Sequence, residues 1–182
     1  MVIQWTLIHH AMSKVTDLTG AQAQSFDLIM RKEFAKQIID GVKKLEFRAV
    51  SDFYISRYMR ENPDGSLDYK DEIEFLHFHD YNNSWFLDVH IEPIWFRYVH
   101  PACADFFHHY GHYEFDQDME EFAHLDPDND DESANIPSLF CIPIDAIVNT
   151  NLTPLDDIRK AGKVPVYTIA QCAEKLSPTR HR

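Results

Sequence analysis

The chain has 182 residues and a net charge of −13, and 45% of its residues are hydrophobic and 13% aromatic. This composition supports a packed core in one domain with additions, and no apolar run is long enough to span a bilayer. The three cysteines are too scattered for a disulfide framework or a CxxC metal pair. The first residues, MVIQWTLIHHAM, lack the basic flank and cleavage site of a signal peptide. We therefore expect a cytoplasmic protein.

The charge is unevenly distributed along the chain. Residues 31–60 carry eight Lys or Arg against four Asp or Glu, whereas residues 61–135 carry two against twenty. An acidic protein repels phosphate backbones, so tight binding to duplex DNA is disfavoured and any nucleic-acid contact should be local to residues 31–60.

The first elements in chain order are an N-terminal extension and a strand–helix pair. Within the extension, residues 1–24, we predict an edge strand over Val2–Ile8 and a connector over Ser13–Gln24. The apolar run Asp27–Met30 predicts a strand, and the spacing of apolar residues in Lys32–Asp40 predicts a helix. Gly41 can adopt the left-handed conformation that ends a helix.

Alternation predicts a strand over Lys43–Arg48, with Lys43 at the turn into it. Leu45 and Phe47 then share one face, and the other face carries Lys44, Glu46 and Arg48. An apolar anchor beneath a polar array suits a ligand site. An ordinary surface strand, on which Glu46 and Arg48 form an ion pair, produces the same pattern.

Further strands and a turn of helix follow. Phe53–Arg60 is consistent with a helical turn, and the aromatic, alternating runs Ile73–His79 and Trp85–Ile91 predict a hairpin. Leu139–Val148 predicts a buried strand. Residues 151–182 form a C-terminal extension, with a strand over Val164–Thr168 and then a helix.

An acidic helical insertion is predicted at about residues 97–136. Pro101–Tyr110 favours a helix, Asp116 is a candidate N-cap, and Asp126–Ser133 indicates an acidic loop. The loop imitates the start of a calcium site but has Asp131 in place of Gly and Pro137 in place of Glu, so we do not expect calcium binding.

Two histidine spacings can hold zinc if carboxylates converge on them. His77 and His79 share a strand face, and His108 and His112 are one helical turn apart. HExxH is absent and Gly111 interrupts the helix near His112, so packing and hydrogen bonding are the favoured interpretation. We predict no metal and no cofactor.

The segment Gly41-x-Lys43-x-x-Glu46-x-Arg48 after a helix resembles the ASCH family of small β-barrels, which are related to the RNA-binding PUA domains. Blocks around Tyr54 and Arg57, over residues 77–81 and over Phe140–Val148 also match, so the resemblance covers about half of the chain. It implies an α+β protein, a PUA-like mixed β-barrel over residues 25–150 with short flanking helices.

The family resemblance also implies a function. Most such proteins are taken to bind RNA or a nucleotide-like ligand, here in a cleft lined by the residues Lys43, Lys44, Glu46, Arg48, Tyr54 and Arg57. One branch removes an acetyl group from modified cytidine with a Lys at the position of Lys43, but it carries Thr where this chain has Glu46. We therefore predict a binding module. An amidohydrolase using Lys43 and Glu46 is the alternative, and a protein-interaction module using the acidic insertion is the second alternative.

Overall fold

A computed structural model describes residues 12–70 and 72–176. The predicted strand Val2–Ile8 lies outside the described residues. The chain divides into two compact units. The first unit contains residues 12–39, 75–90 and 146–176, and the second contains Asp40–Glu74 and Ile91–Asp145.

The described part of the chain is a mixture of strands and short helices. The strands are β1 (Met12–Thr16), β2 (Gln22–Ile29), β3 (Leu45–Ala49), β4 (Met59–Glu61), β5 (Leu67–Tyr69), β6 (Phe75–His79), β7 (Phe86–Ile91), β8 (Trp95–Tyr98) and β9 (Ser138–Thr150). The α-helices are α1 (Lys32–Ile39), α2 (Asp52–Tyr58), α3 (Ala104–His109), α4 (Asp116–Glu121), α5 (Asp130–Ser133), α6 (Leu155–Ala161) and α7 (Ile169–Leu176). Single turns of 3₁₀-helix precede α3 and α4, at Pro101–Cys103 and Tyr113–Phe115.

The first unit is a mostly antiparallel sheet with the strand order β1-β2-β6-β7-β9. β2 and β6 run parallel, with Asp27 beside His77, and β6 and β7 form the predicted hairpin, with His77 opposite Asp88. Because side chains alternate along each strand, Leu76 and Phe78 are buried on the face opposite His77. The side chains of Asp27, His77 and Asp88 therefore lie side by side on one face of three adjacent strands.

The second unit is arranged around the first half of β9. β3 and β8 both pair antiparallel with it, so Cys141 lies between Phe47 and Trp95. Buried Val99, Phe107, Met119 and Cys141 form a core cluster there. β4 and β5 form a separate two-stranded hairpin.

The fold class α+β is confirmed, but the predicted barrel is wrong. Closure requires the two end strands of the order to pair with each other. Among the strands at residues 12–70 and 72–176, β1 pairs with β2 and β3 pairs with β9, so the order is open. Alternation with a period of two is common to open sheets and barrels, and for this reason the sequence pattern did not distinguish them.

Three further predictions need correction. The predicted connector Ser13–Gln24 contains β1 and the start of β2, because Val15 is fully buried while polar neighbours occupy the other face. The acidic loop contains the turn of helix α5, whose first turn is capped by the Asn129 side chain. Val164–Thr168 is reduced to an isolated bridge between Ile147 and Val166.

Other helix boundaries in the structure lie close to those predicted from the sequence. α1 covers Lys32–Ile39, and Gly41 follows it with a φ of 70°. The helix predicted over Pro101–Tyr110 is split, since it begins as a 3₁₀ turn and continues as α3. Asp116 is the first residue of α4 rather than its N-cap, which is Phe115.

None of the described helices is both long enough and apolar enough to cross a membrane.

A buried carboxylate fixes the turn between β1 and β2 in the first unit. Asp17 Oδ1 accepts hydrogen bonds from the Thr19 and Ala21 amides and from the Thr19 hydroxyl, and its Oδ2 accepts one from the amide of Ile169, at the start of α7. Burial raises the pKa of Asp17, but these hydrogen bonds outweigh burial and the net shift is downward. The charged form therefore stabilises the turn and the start of α7.

Replacing Asp17 by Ala should lower the free energy of unfolding by about 1–3 kcal/mol at pH 7, because buried amide donors lose their acceptor. The lowered pKa means that the contribution is fully present above the ordinary pKa of 3.8 and is lost as the pH falls through the folded-state value. Urea unfolding at pH 7 and at several values below about 4 measures both effects. Leu18→Ala, at an exposed neighbour, is the control, and an equal loss in both variants would contradict the account.

Candidate ligand-binding site

Strand β3 carries Glu46 and Arg48, two of the predicted site residues, and both of its faces are covered. Leu45 is fully buried, and Glu46, on the opposite face, is only 6% exposed. A carboxylate on an ordinary surface strand would remain in water, because burying a charge is costly unless it is paired. The exposure that the surface-strand interpretation implies for Glu46 is therefore not found, whereas the Glu46–Arg48 ion pair that it includes is present.

Glu46 is shared by two cations. Its Oε2 is 3.2 Å from Lys43 Nζ, and its Oε1 is 2.7 Å from the Arg48 guanidinium. The side chains of Lys43 and Arg48 are only 12% and 15% exposed. Three charges are thus withdrawn from solvent together, and the carboxylate of Glu46 contacts both cations.

Arg48 connects this ion-pair network to helix α2. Its second terminal nitrogen donates a hydrogen bond of 3.2 Å to the Tyr54 hydroxyl. The Tyr54 ring stacks on Tyr58 at 5.7 Å between centroids. Tyr58 is fully buried, and no described residue forms a hydrogen bond with its hydroxyl. Burial raises the pKa of Tyr58 well above its usual range, although the charge of Arg48 acts in the opposite direction.

One side of α2 presents aromatic and cationic groups to solvent. The guanidinium of Arg57 lies 4.3 Å from the centre of the Phe53 ring, and half of Phe53 is exposed. Tyr54, packed edge-to-face against Phe53, is half-buried. Consecutive aromatic rings beside guanidinium groups can stack bases and attract phosphates.

The structure brings five of the six predicted site residues together. Lys43, Glu46 and Arg48 are linked by ion pairs, and Arg48 donates a hydrogen bond to Tyr54. Arg57 is near enough that its charge, like that of Arg48, acts to lower the pKa of the Tyr58 hydroxyl. Lys44 is exposed, and no contact of its side chain with this network is found in the described part of the chain.

Sequence reasoning missed a second polar pair beside Lys43. His112 packs edge-to-face on Phe47 at 4.8 Å, and its Nδ1 lies 2.9 Å from a Glu114 carboxylate oxygen. Within residues 12–70 and 72–176, no group forms a hydrogen bond with the Nε2 of this buried histidine. Burial raises the pKa of Glu114, but the hydrogen bond with His112 and the charge of Lys43 outweigh it, and the net shift is downward. The spacing of His112 from His108 did not reveal this role, because α3 ends at His109 and the chain turns at Gly111.

The predicted pair of His108 and His112 does not form a shared site. Across residues 12–70 and 72–176, no group of three or more His, Cys, Asp or Glu side chains could hold a metal ion. His108 lies beside Asp116 on the surface rather than beside His112.

Comparisons with protein-family models, with curated proteins and with solved structures found no match.

Replacing Glu46 by Gln should lower the free energy of unfolding by about 3–5 kcal/mol, because two largely buried cations lose the carboxylate that compensates them. Chemical denaturation at neutral pH measures the loss.

Glu72→Gln is the matched control for Glu46→Gln, since it breaks a carboxylate–arginine pair in the same unit. Glu72 and Arg60 are 61% and 59% exposed, so the control should cost only about 0–1 kcal/mol. Similar losses of unfolding free energy in the two variants would show that the Glu46 ion pairs contribute no more to stability than an exposed pair does.

Proposed function

We propose that the second unit binds a nucleotide-like ligand or a short single-stranded RNA element at the β3–α2 surface. This surface is defined by six residues: Lys43, Glu46, Arg48, Phe53, Tyr54 and Arg57. It joins the ion-pair network of β3 to the aromatic residues of α2.

The observation that carries the proposal is the pairing of accessible aromatic rings with guanidinium groups. Arg57 lies over half-exposed Phe53, and Arg48 bonds to half-buried Tyr54. Base stacking on an aromatic ring contributes about 1–3 kcal/mol per base and tolerates any sequence. Guanidinium groups beside the rings attract the phosphates that accompany a base.

Each residue has a distinct part in this proposal. The rings of Phe53 and Tyr54 stack with bases. Arg57 contacts phosphate, and Arg48 supplies donors whose direction is fixed by its bonds to Glu46 and Tyr54. The role of Glu46 is to position both cations, because its two oxygens are already paired with Lys43 and Arg48.

The charge distribution limits the size of the ligand. The net charge is −13, so an extended duplex would meet acidic surface beyond the basic segment. A mononucleotide or a few unpaired nucleotides can contact the β3–α2 surface without that repulsion. RNA recognition of this kind usually targets unstacked bases.

Replacing Tyr54 by Leu removes the stacking ring but keeps an apolar side chain at that position. The free energy of binding to a short single-stranded RNA, measured by fluorescence anisotropy, should become less favourable by about 1–3 kcal/mol. Arg48→Lys keeps the charge but removes the two-pronged donor, and should weaken binding in the same assay.

Arg60→Lys is the matched control for Arg48→Lys, because Arg60 is an exposed arginine of the same unit that pairs with Glu72. A nucleotide panel in the same titration distinguishes a mononucleotide from RNA as the ligand. Unchanged affinity in both Tyr54→Leu and Arg48→Lys would contradict the proposed surface, and so would the absence of binding to every probe.

We also propose that the chain is an ASCH-type, PUA-like protein whose described strands remain open. The order strand, α1, Gly41 and β3, with Lys43, Glu46 and Arg48 on or beside β3, supports this relationship. A cytoplasmic location belongs to the same proposal, since all three cysteines are free.

The alternative function is removal of an acyl group from a modified nucleoside by Lys43 and Glu46. The two groups are 3.2 Å apart, which satisfies the distance that proton transfer requires. In the ion pair, however, the ammonium of Lys43 has no lone pair with which to attack a carbonyl. Glu46 is also held by Arg48, which reduces its freedom to accept a proton.

We therefore expect no release of acetate when the purified protein is incubated with N-acetylated cytidine. Chromatography of the nucleoside over several hours, beside an enzyme-free blank, measures this. Turnover that disappears in Lys43→Ala but persists in Lys44→Ala would replace the binding proposal with the enzymatic one.

A further inference from the structure

Two histidines of the first unit lie on the same sheet face as buried Phe75, beyond the part of that face that the core covers. His77 and His79 are two positions apart on β6, so both project from the same face of the sheet. His77 is stacked at 5.7 Å on Phe86 of the neighbouring strand. Both histidines are half-buried, and each therefore remains accessible to a small solute.

Each imidazole is held through the same ring nitrogen. His77 Nδ1 is 2.6 Å from Asp88 Oδ1, and His79 Nδ1 is 2.7 Å from the carbonyl oxygen of Asp80. An acceptor at Nδ1 places a proton on that nitrogen and leaves the Nε2 lone pair available. Histidine ligands of metals are typically oriented in this way, by a carboxylate or a backbone carbonyl.

The spacing of the rings fits a shared ion. The centroids of His77 and His79 are 5.3 Å apart, and the ring planes differ by 32°. With Zn–N bonds of about 2.0–2.1 Å and a tetrahedral angle at the metal, the centroids of two ligating imidazoles lie about 5 Å apart. The observed separation of the two rings is therefore close to that of two imidazoles bound to one cation.

The surrounding charge also favours a cation. Asp88 is only 3% exposed and contacts His77, and Asp27 lies beside His77 in the register of β2 and β6. The negative charges of both carboxylates raise the pKa of the His77 imidazole. A cation bound at the imidazoles therefore meets negative charge on two neighbouring strands.

We propose that His77 and His79 form a two-histidine site for a divalent transition-metal ion such as Zn²⁺ or Cu²⁺. Asp88 and the carbonyl of Asp80 position the two ligands, and water or a small solute completes the coordination. With two protein ligands the site binds more weakly than a four-ligand structural zinc site, and folding does not require the metal. The site lies in the first unit and does not depend on the proposed function of the second.

Calorimetric titration of the full chain with Zn²⁺, and separately with Cu²⁺, tests the site. The hydrogen bond to Asp88 raises the pKa of His77, so pH 8 is used to limit competition from protons. His79→Asn should weaken binding roughly tenfold or more by removing one ligand, and Asp88→Asn by about 10–100-fold by removing the orienting carboxylate. Cu²⁺ should bind more tightly than Zn²⁺.

His124→Asn is the matched control, because His124 is exposed and its Nδ1 also contacts a backbone carbonyl, that of Glu121. Equal affinity of the wild type and His79→Asn would overturn the proposal, as would a wild type that binds neither ion.

A second measurement uses only the wild type, in case Asp88→Asn does not fold. Substoichiometric Cu²⁺ should broaden the imidazole NMR signals of His77 and His79 before those of the other histidines. Earlier broadening of a different pair would assign the metal elsewhere and overturn the proposal.

Discussion

Successive side chains of a strand must point to opposite faces of its sheet, and both proposed sites follow from that constraint. On β6, the alternation that buries Leu76 and Phe78 brings His77 and His79 to the other face. On β3, the alternation that buries Leu45 sends Glu46 and Arg48 together to the opposite side. In each case, apolar residues hold the strand while the intervening positions carry the chemistry.

The two sites differ in how the protein accommodates charge. In the second unit, a buried carboxylate divides its oxygens between two cations, which are left with donors of fixed direction. In the first unit, a buried carboxylate contacts a single neutralisable ring. The first arrangement resists rearrangement because removing its carboxylate leaves both cations without the charge that they share. The second arrangement tolerates the gain or loss of a positive charge at the imidazole, and this suits an exchangeable partner.

Local patterns allowed prediction where the determining interactions are local. The helix before Gly41, the strand predicted at Lys43–Arg48 and found at Leu45–Ala49, and the hairpin of β6 and β7 follow from periodicity and turn residues. The burial of Glu46 did not follow, because it depends on the pairing of β3 with β9, almost a hundred residues later. His112 beside Phe47 was missed for the same reason. The barrel was wrongly predicted because alternation reports which face is buried and not which strands pair at the ends.

The long strand β9 has a consequence for the synthesis of the protein. Residues 138–145 belong to the second unit, and residues 146–150 belong to the first. The pairing of β3, β7 and β8 with β9 therefore cannot form until β9 has left the ribosome, well after these three strands. Contacts between such distant segments require a large loop to close, which slows folding relative to helical proteins of similar size. During translation, the apolar edges of the earlier strands stay exposed until β9 emerges, and in that interval the nascent chain is most vulnerable to aggregation.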